Sequence, residues 1–188
     1  MNRSITGRSG PVSVRRATAR DAKRLTRLVR GSSAYEGRYA AMVAGYRVGP
    51  DYIETHRVFA AVSATEGHEG GAGHEGRAGH EGRAGHEGGQ DRAGQVLGFY
   101  SLVLAPPELD LMFVADHAQG RGVGRLLVAH MESEARAAGL DRVRVVSHPP
   151  AEGFYRSVGA VHVGTASATP PAVVWDRPEL EFRIPTCK

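Results

Sequence analysis

The chain has 188 residues, 41% of them hydrophobic, with a formal net charge of +4 and one cysteine, which is enough for one domain with a real core and too little for two. No apolar run approaches the roughly 20 residues that span a bilayer, and the polar, Arg-bearing residues 1–10 lack the apolar centre of a signal peptide, so a cytoplasmic protein with no membrane partner is expected. The basic residues are nearly all arginine and spread out, apart from a cluster at Arg15, Arg16, Arg20, Lys23, Arg24, Arg27 and Arg30, most of which falls on the solvent face of a first helix with no zinc-finger or RNP-type motif beside it, and this argues against nucleic acid as a partner.

In chain order, residues 1–10 read as a flexible N-terminus and 11–185 as a single domain. Val12 and Val14 alternate with polar residues as a first strand. Thr18 then caps a helix, with Asp21 three residues on in the place of the capping-box acid, and Ala22, Leu25, Leu28 and Val29 form its buried stripe. A second helical stretch carries Tyr35, Tyr39, Met42, Val43 and Tyr46, and Pro50 opens a further short turn. Residues 58–62 and 96–103 read as strands two and three. Between them, Gly67-His-Glu-Gly recurs from Gly73, Gly79 and Gly85, so 66–92 is expected to be a disordered Gly/His/Glu repeat insert. Four histidines stand in it (His68, His74, His80 and His86). Nothing apolar is present to fold them into a ligand set, and no metal is expected. Residues 109–114 read as strand four and 122–138 as an amphipathic helix stopped by Gly139. Strand five (142–146), a helix (151–158) ended by Gly159, and closing strands at 161–163 and 180–184 complete the order. Cys187 has no partner for a disulfide and no neighbouring histidine to make it a nucleophile.

The densest signal is Gln119-Gly-Arg-Gly-Val-Gly124, set between strand four and the helix that follows. Glycines at 120, 122 and 124 remove side chains where backbone N–H groups must face an anion, and the helix aims its positive end at the same place. A pyrophosphate fits there. The spacing excludes a Walker loop, because Arg125 and Leu126 follow Gly124, and the dinucleotide fingerprint lacks its third glycine. What remains is [QR]-x-x-G-x-[GA], filled by Gln119, Gly122 and Gly124. This pattern, in this element order, resembles the acyl-CoA pyrophosphate loop of the GNAT superfamily of N-acetyltransferases, and the resemblance runs from Val12 to Pro185 apart from the insert.

The resemblance implies an α/β (α+β) fold with a mixed, mostly antiparallel central sheet of about seven strands flanked by about four helices. It implies acetyl-CoA as cosubstrate, held by Gln119, Gly120, Arg121, Gly122, Val123, Gly124 and Arg125, with its pantetheine arm paired to the backbone of Val114 and Met112. The Met112 N–H would then face the thioester oxygen. It also implies Glu108 as general base, eleven positions before Gln119, and Tyr155, within Ala-Glu-Gly-Phe-Tyr-Arg-Ser-Val-Gly, as proton donor to the departing sulfur. The Asn often found seven residues before that Tyr, where it bonds pantetheine, is His148 here, followed by Pro149 and Pro150, so His148 is a candidate to line the substrate site or to act as an alternative base.

From strand alternation, Glu108, Asp110 and Met112 are expected to share one face of strand four, with Leu109, Leu111 and Phe113 on the other. Asp110 is therefore a second candidate base or a substrate ligand. Tyr35, Glu36, Tyr39 and Tyr46, with 169–175, are candidates for acceptor recognition, since aromatics beside a carboxylate suit a cationic amine. The function expected is acetyl transfer from acetyl-CoA to a primary amine of a small molecule or peptide, by direct attack in a ternary complex, in a monomer or homodimer. A non-catalytic acyl-CoA-binding module is the alternative.

Overall fold

In the computed structural model, residues 11–64, 94–171 and 173–185 are described. The repeat at 66–92, the first ten residues and Cys187 lie outside them. The alternating start of the chain forms β1 (Val12–Arg16), and the near-continuous apolar runs that follow form β2 (Arg57–Ser63) and β3 (Val96–Leu104), as central strands buried on both faces do. β4 (Pro107–Val114), β5 (Arg142–Val146), β6 (Val161–Ala166) and β7 (Arg177–Arg183) complete one sheet in the order β1-β2-β3-β4-β5-β7-β6. All neighbours run antiparallel except β4 and β5.

Among the described residues five α-helices flank the sheet: α1 (Ala22–Arg30), α2 (Ala41–Ala44), α3 (Pro50–Thr55), α4 (Val123–Ala137) and α5 (Glu152–Ser157). The core is accordingly two layers. On one face α4 and α5 bury Leu127, Met131 and Tyr155 against Leu102, Leu109, Val143 and Leu180. On the other, α1 to α3 bury Leu25, Val29, Val43 and Ile53 against Val58, Phe99, Leu111 and Phe113. Each such fully buried aliphatic contributes roughly 1.5–3 kcal/mol. Asp21 secures the entry to α1. Its carboxylate accepts from the Thr18 N–H at 2.9 Å and from the Arg15 guanidinium at 2.8 Å twice, and that ion pair holds its carboxyl below the ordinary range.

Two expectations need correction. The second helical stretch is not continuous: it breaks into single 3-10 turns, Ser33–Tyr35 and Gly37–Tyr39, before the one turn of α2. Gly37 stands at φ 64°, a left-handed conformation no helix interior contains. Strand four does not alternate cleanly either. Ser101 pairs with Leu111 but Leu102 with Leu109, which leaves Asp110 as the extra residue of a β-bulge. Leu109 is thereby turned into the α4 layer beside Met112, while Leu111 and Phe113 stay in the α1 layer. Glu108, one step from Leu109, falls on the Leu111 and Phe113 side and does not share a face with Met112.

Candidate functional site

β4 and β5 are paired in parallel at Glu108 and Arg144. Beyond that point a cleft opens between them, with residues 111–114 on one side and 145–148 on the other. It holds two adjoining cavities of about 300 and 350 Å³, both bounded by Met112, Val114, Gln119, His148 and Tyr155. The first extends toward Tyr35, Tyr46, Asp110 and Arg177. The second extends toward Gly120, Gly124 and Phe154. The cleft thus runs from the glycine loop to an aromatic end.

The backbone sets the direction of its donors. The Ala115 N–H donates to Leu97 O across to β3 at 2.8 Å. Successive residues of a strand turn their amides to opposite sides, so the amides of 113 and 111 also face β3 and those of Val114 and Met112 face the cleft. The Val114 carbonyl accepts there from the Gln119 side chain at 3.4 Å, and Asp116 accepts from the same side-chain amide at 3.0 Å, which fixes Gln119 at the mouth of the loop.

The loop is shaped by its glycines. Gly120 (φ 71°) and Gly122 (φ 83°) adopt left-handed conformations, Gly122 as the residue that caps α4. At Gly124 the requirement is space, because a Cβ there would stand 3.0 and 3.1 Å from two atoms of the Phe154 ring. The Val123 side chain is buried in the core, so its contribution to the loop is its backbone. The Arg125 guanidinium donates to Ser157 O at 3.4 Å. A fifteen-residue helix with its first amides open, preceded by a loop with bare Cα positions, fits the diphosphate of an acyl-CoA.

Tyr155 borders both cavities and is 8% exposed. The end of α5 secures it, since Ala160 N–H donates to Tyr155 O at 3.0 Å and Gly159 N–H to Arg156 O at 3.2 Å. Burial raises its pKa, with the neighbouring Tyr35 adding to the shift, so its hydroxyl keeps its proton.

His148, 6% exposed, lies at the junction of the cavities. Its Nε2 is 2.8 Å from Ala34 O, and a carbonyl only accepts, so Nε2 carries the proton. Nδ1 is then a bare lone pair, buried and without a partner. Burial pushes the imidazole pKa down and the Arg38 charge pushes it further, against the bond to Ala34, which keeps the ring neutral. Tyr35 stacks on it at 4.4 Å, and Tyr39 meets it edge-on at 4.2 Å and Trp175 at 4.6 Å.

The structure separates the two candidate carboxylates. Asp110 borders the first cavity and accepts a short hydrogen bond from the Tyr52 hydroxyl of α3. Tyr46 lines the same end, its pKa raised to about 12 by burial and by the Asp110 charge. Glu108 borders neither cavity. It pairs at 3.0 Å with Arg144, which also binds Glu179, in a row across the sheet. Glu36 is exposed and also borders neither cavity. Sequence reasoning did not single out Tyr52 or Arg177. Tyr52 has only its place on the short helix begun by Pro50 to mark it, and Arg177 is one of four charged residues in a seven-residue strand.

Residues 87–168 match a family model described as an acetyltransferase (GNAT) domain. No curated protein gives a significant sequence match. Among solved structures the chain resembles a GCN5-related N-acetyltransferase from Rhodopseudomonas palustris (15% identity, TM-score 0.64, covering 95% of this chain and 99% of that one). It also resembles the ribosomal-protein-S18-alanine N-acetyltransferase from Escherichia coli (14%, 0.57, 94% and 96%). A third similar structure is AtaTR bound with AcCoA (18%, 0.54, 92% and 93%). No helix of the described residues is long and apolar enough to cross a membrane.

Proposed function

We propose that the chain is a GNAT acetyltransferase that moves an acetyl group from acetyl-CoA to a primary amine of a small molecule by direct attack in a ternary complex, in the cytoplasm; the match of residues 87–168 to a GNAT acetyltransferase model and the shared fold support this. The observation that carries this reading is the cleft between β4 and β5, with the Met112 and Val114 amides turned into it and the Tyr155 hydroxyl at its wall. Residues 119–125 hold the diphosphate through backbone N–H groups and the α4 N-terminus. Acetyl-CoA, when bound, supplies an acetyl thioester. The Met112 N–H is a fixed donor for the carbonyl oxygen on which charge develops. Tyr155 keeps its proton and stands ready to pass it to a sulfur in the same cleft.

Asp110 is the proton acceptor for the incoming amine. It reaches the cavity, whereas Glu108 lies outside it and is tied to Arg144, and two tyrosines beside Asp110 complete a surface for an ammonium group. A second reading, favoured by the bare Nδ1, gives the proton to His148. An amine library incubated with acetyl-CoA and read by free thiol tests the function. Thiol release that depends on amine and on Asp110 is expected. Tight acetyl-CoA binding with no amine-dependent release would leave an acyl-CoA-binding module.

A further inference from the structure

Among the described residues four buried side-chain polar atoms have no hydrogen-bond partner: Ser101 Oγ, His148 Nδ1, Trp175 Nε1 and Arg177 Nε. Three of the four belong to the β5 and β7 side of the cleft. Ser147 N–H donates to Pro178 O at 2.8 Å, continuing the antiparallel pairing past the end of β5, and this brings Arg177 alongside His148, both of them bordering the first cavity. The acids beside Arg177 on β7 are taken, Glu179 by Arg144 and Glu181 by Arg142. Arg177 itself has no ion pair among the described residues.

A guanidinium with a desolvated, unbonded Nε is costly to keep unless something else meets it. The fork of Nε and Nη donors matches the two oxygens of a carboxylate. The Arg38 charge, felt at His148, adds to the positive potential on this side. On the β4 side the sign is reversed, with the Asp110 carboxylate bonded to Tyr52 and flanked by Tyr46. The cavity is therefore dipolar, negative at the β4 bulge and positive at the head of β7.

The geometry points to an acceptor that carries a carboxylate together with its amine, of the amino-acid class, with Arg177 as the residue that selects it. The ammonium group lies against Asp110, and the carboxylate accepts from the Arg177 fork. This assignment rests on the acetyl-transfer reading of the same cleft. Other amines fit less well. A polyamine would bring a second cation to Arg177, and an amine with no anionic group would leave its buried Nε unbonded. A peptide N-terminus has no carboxylate beside its amine.

The test is calorimetric binding of the twenty common amino acids, each as free acid and as carboxamide, to the protein saturated with CoA. At least one free acid is expected to bind at least tenfold more tightly than its amide. Arg177→Met should bring that ratio close to one without lowering CoA affinity or Tm, and Arg177→Lys should keep part of it. Acids and amides binding equally, no acid binding, or a ratio that survives in Arg177→Met would overturn the assignment. If neither variant folds, the acid-to-amide ratio of the unaltered protein decides. The same pairs are assayed for thiol release from acetyl-CoA. Acid-selective binding without release would sustain the role of Arg177 and sink the acetyl-transfer reading, whereas equal release from acids and amides would do the reverse.

Discussion

The two ends of the cleft are built on different principles. The glycine-loop end is backbone: Gly120 and Gly122 set its turns, Gly124 clears the Phe154 ring, and the donors are main-chain amides of one uninterrupted segment. The aromatic end, the acceptor end of the proposed function, is side chain. Tyr35, Tyr46, Asp110, His148 and Arg177 come from five separate segments and meet only when the sheet is assembled. A ligand common to many proteins can be held by groups every residue possesses, whereas a particular acceptor needs particular side chains. Damage to the first end should therefore abolish cofactor binding, and damage to the second should alter turnover and selectivity with cofactor binding intact.

The largest effect is expected at Gly124. Gly124→Glu adds a Cβ against Phe154 and an anion where phosphate oxygens belong, and CoA affinity by calorimetry should fall roughly a hundredfold or more, about 2.7 kcal/mol. Retained affinity would remove the loop from the cofactor site. Next is Asp110→Asn, which should lower kcat by about two orders of magnitude with CoA affinity unchanged. Glu108→Gln, which touches only the Arg144 row, should stay within a few-fold of the parent. The opposite ranking would return the base to Glu108 and show that the cleft rearranges on binding.

Tyr155→Phe deletes one hydroxyl at the junction of the two ends, and a loss of kcat smaller than that of Asp110→Asn is expected, at equal CoA affinity; no loss would reduce Tyr155 to packing. A thermodynamic test probes the acceptor end without substrate. His148 is held neutral, its pKa below the ordinary 6.5, so the unfolded chain takes up its proton first. Its contribution is full above about 6.5 and is lost as pH falls from there through the folded-state value. Denaturant melts should show this acid-side slope weakened in His148→Asn, and an unchanged slope would exclude His148 as its source. The smallest effect is expected from deleting residues 67–89. The flanking strands are already joined by Ser63 N–H to Gln95 O at 3.0 Å, and loop closure depends only weakly on length, so stability should shift by less than about 1 kcal/mol. A loss of activity on deletion that zinc restores would instead show that the repeat histidines matter.

The same contrast explains what could be read from the sequence. The loop was legible because its chemistry lies in the spacing of Gln119, Gly122 and Gly124, and the helix after it because Val123, Leu127 and Met131 recur at helical period. The succession of strands and helices followed from apolar runs punctuated by glycine and proline, and the single α/β sheet from the resemblance that this succession carries. The acceptor end was legible only as residue types. Alternation placed Glu108 beside Met112, and it failed because an extra residue in β4, forced by pairing with β3, changes the phase of everything before it. No count along one strand reveals a bulge set by its neighbour. The second helical stretch failed at Gly37, where the aromatic spacing suggested a helix but the chain turns through a left-handed residue. Tyr52 reaches Asp110, and Arg177 stands beside His148, across separations of 58 and 29 residues, which local patterns do not encode.

The bulge at Asp110 has an evolutionary meaning. Leu109 anchors one core layer and Leu111 the other, while the residue between them is surplus to the ladder and belongs to neither. Position 110 can therefore change identity at a single codon without repacking the interior, and the charge offered to an acceptor can drift while the scaffold stays fixed. Even its removal would spare the core. A one-codon deletion would set Leu109 directly beside Leu111 in strict alternation, each on the face and opposite the β3 partner it already has. Natural variation at this position should therefore be limited by the chemistry of the carboxylate and not by packing.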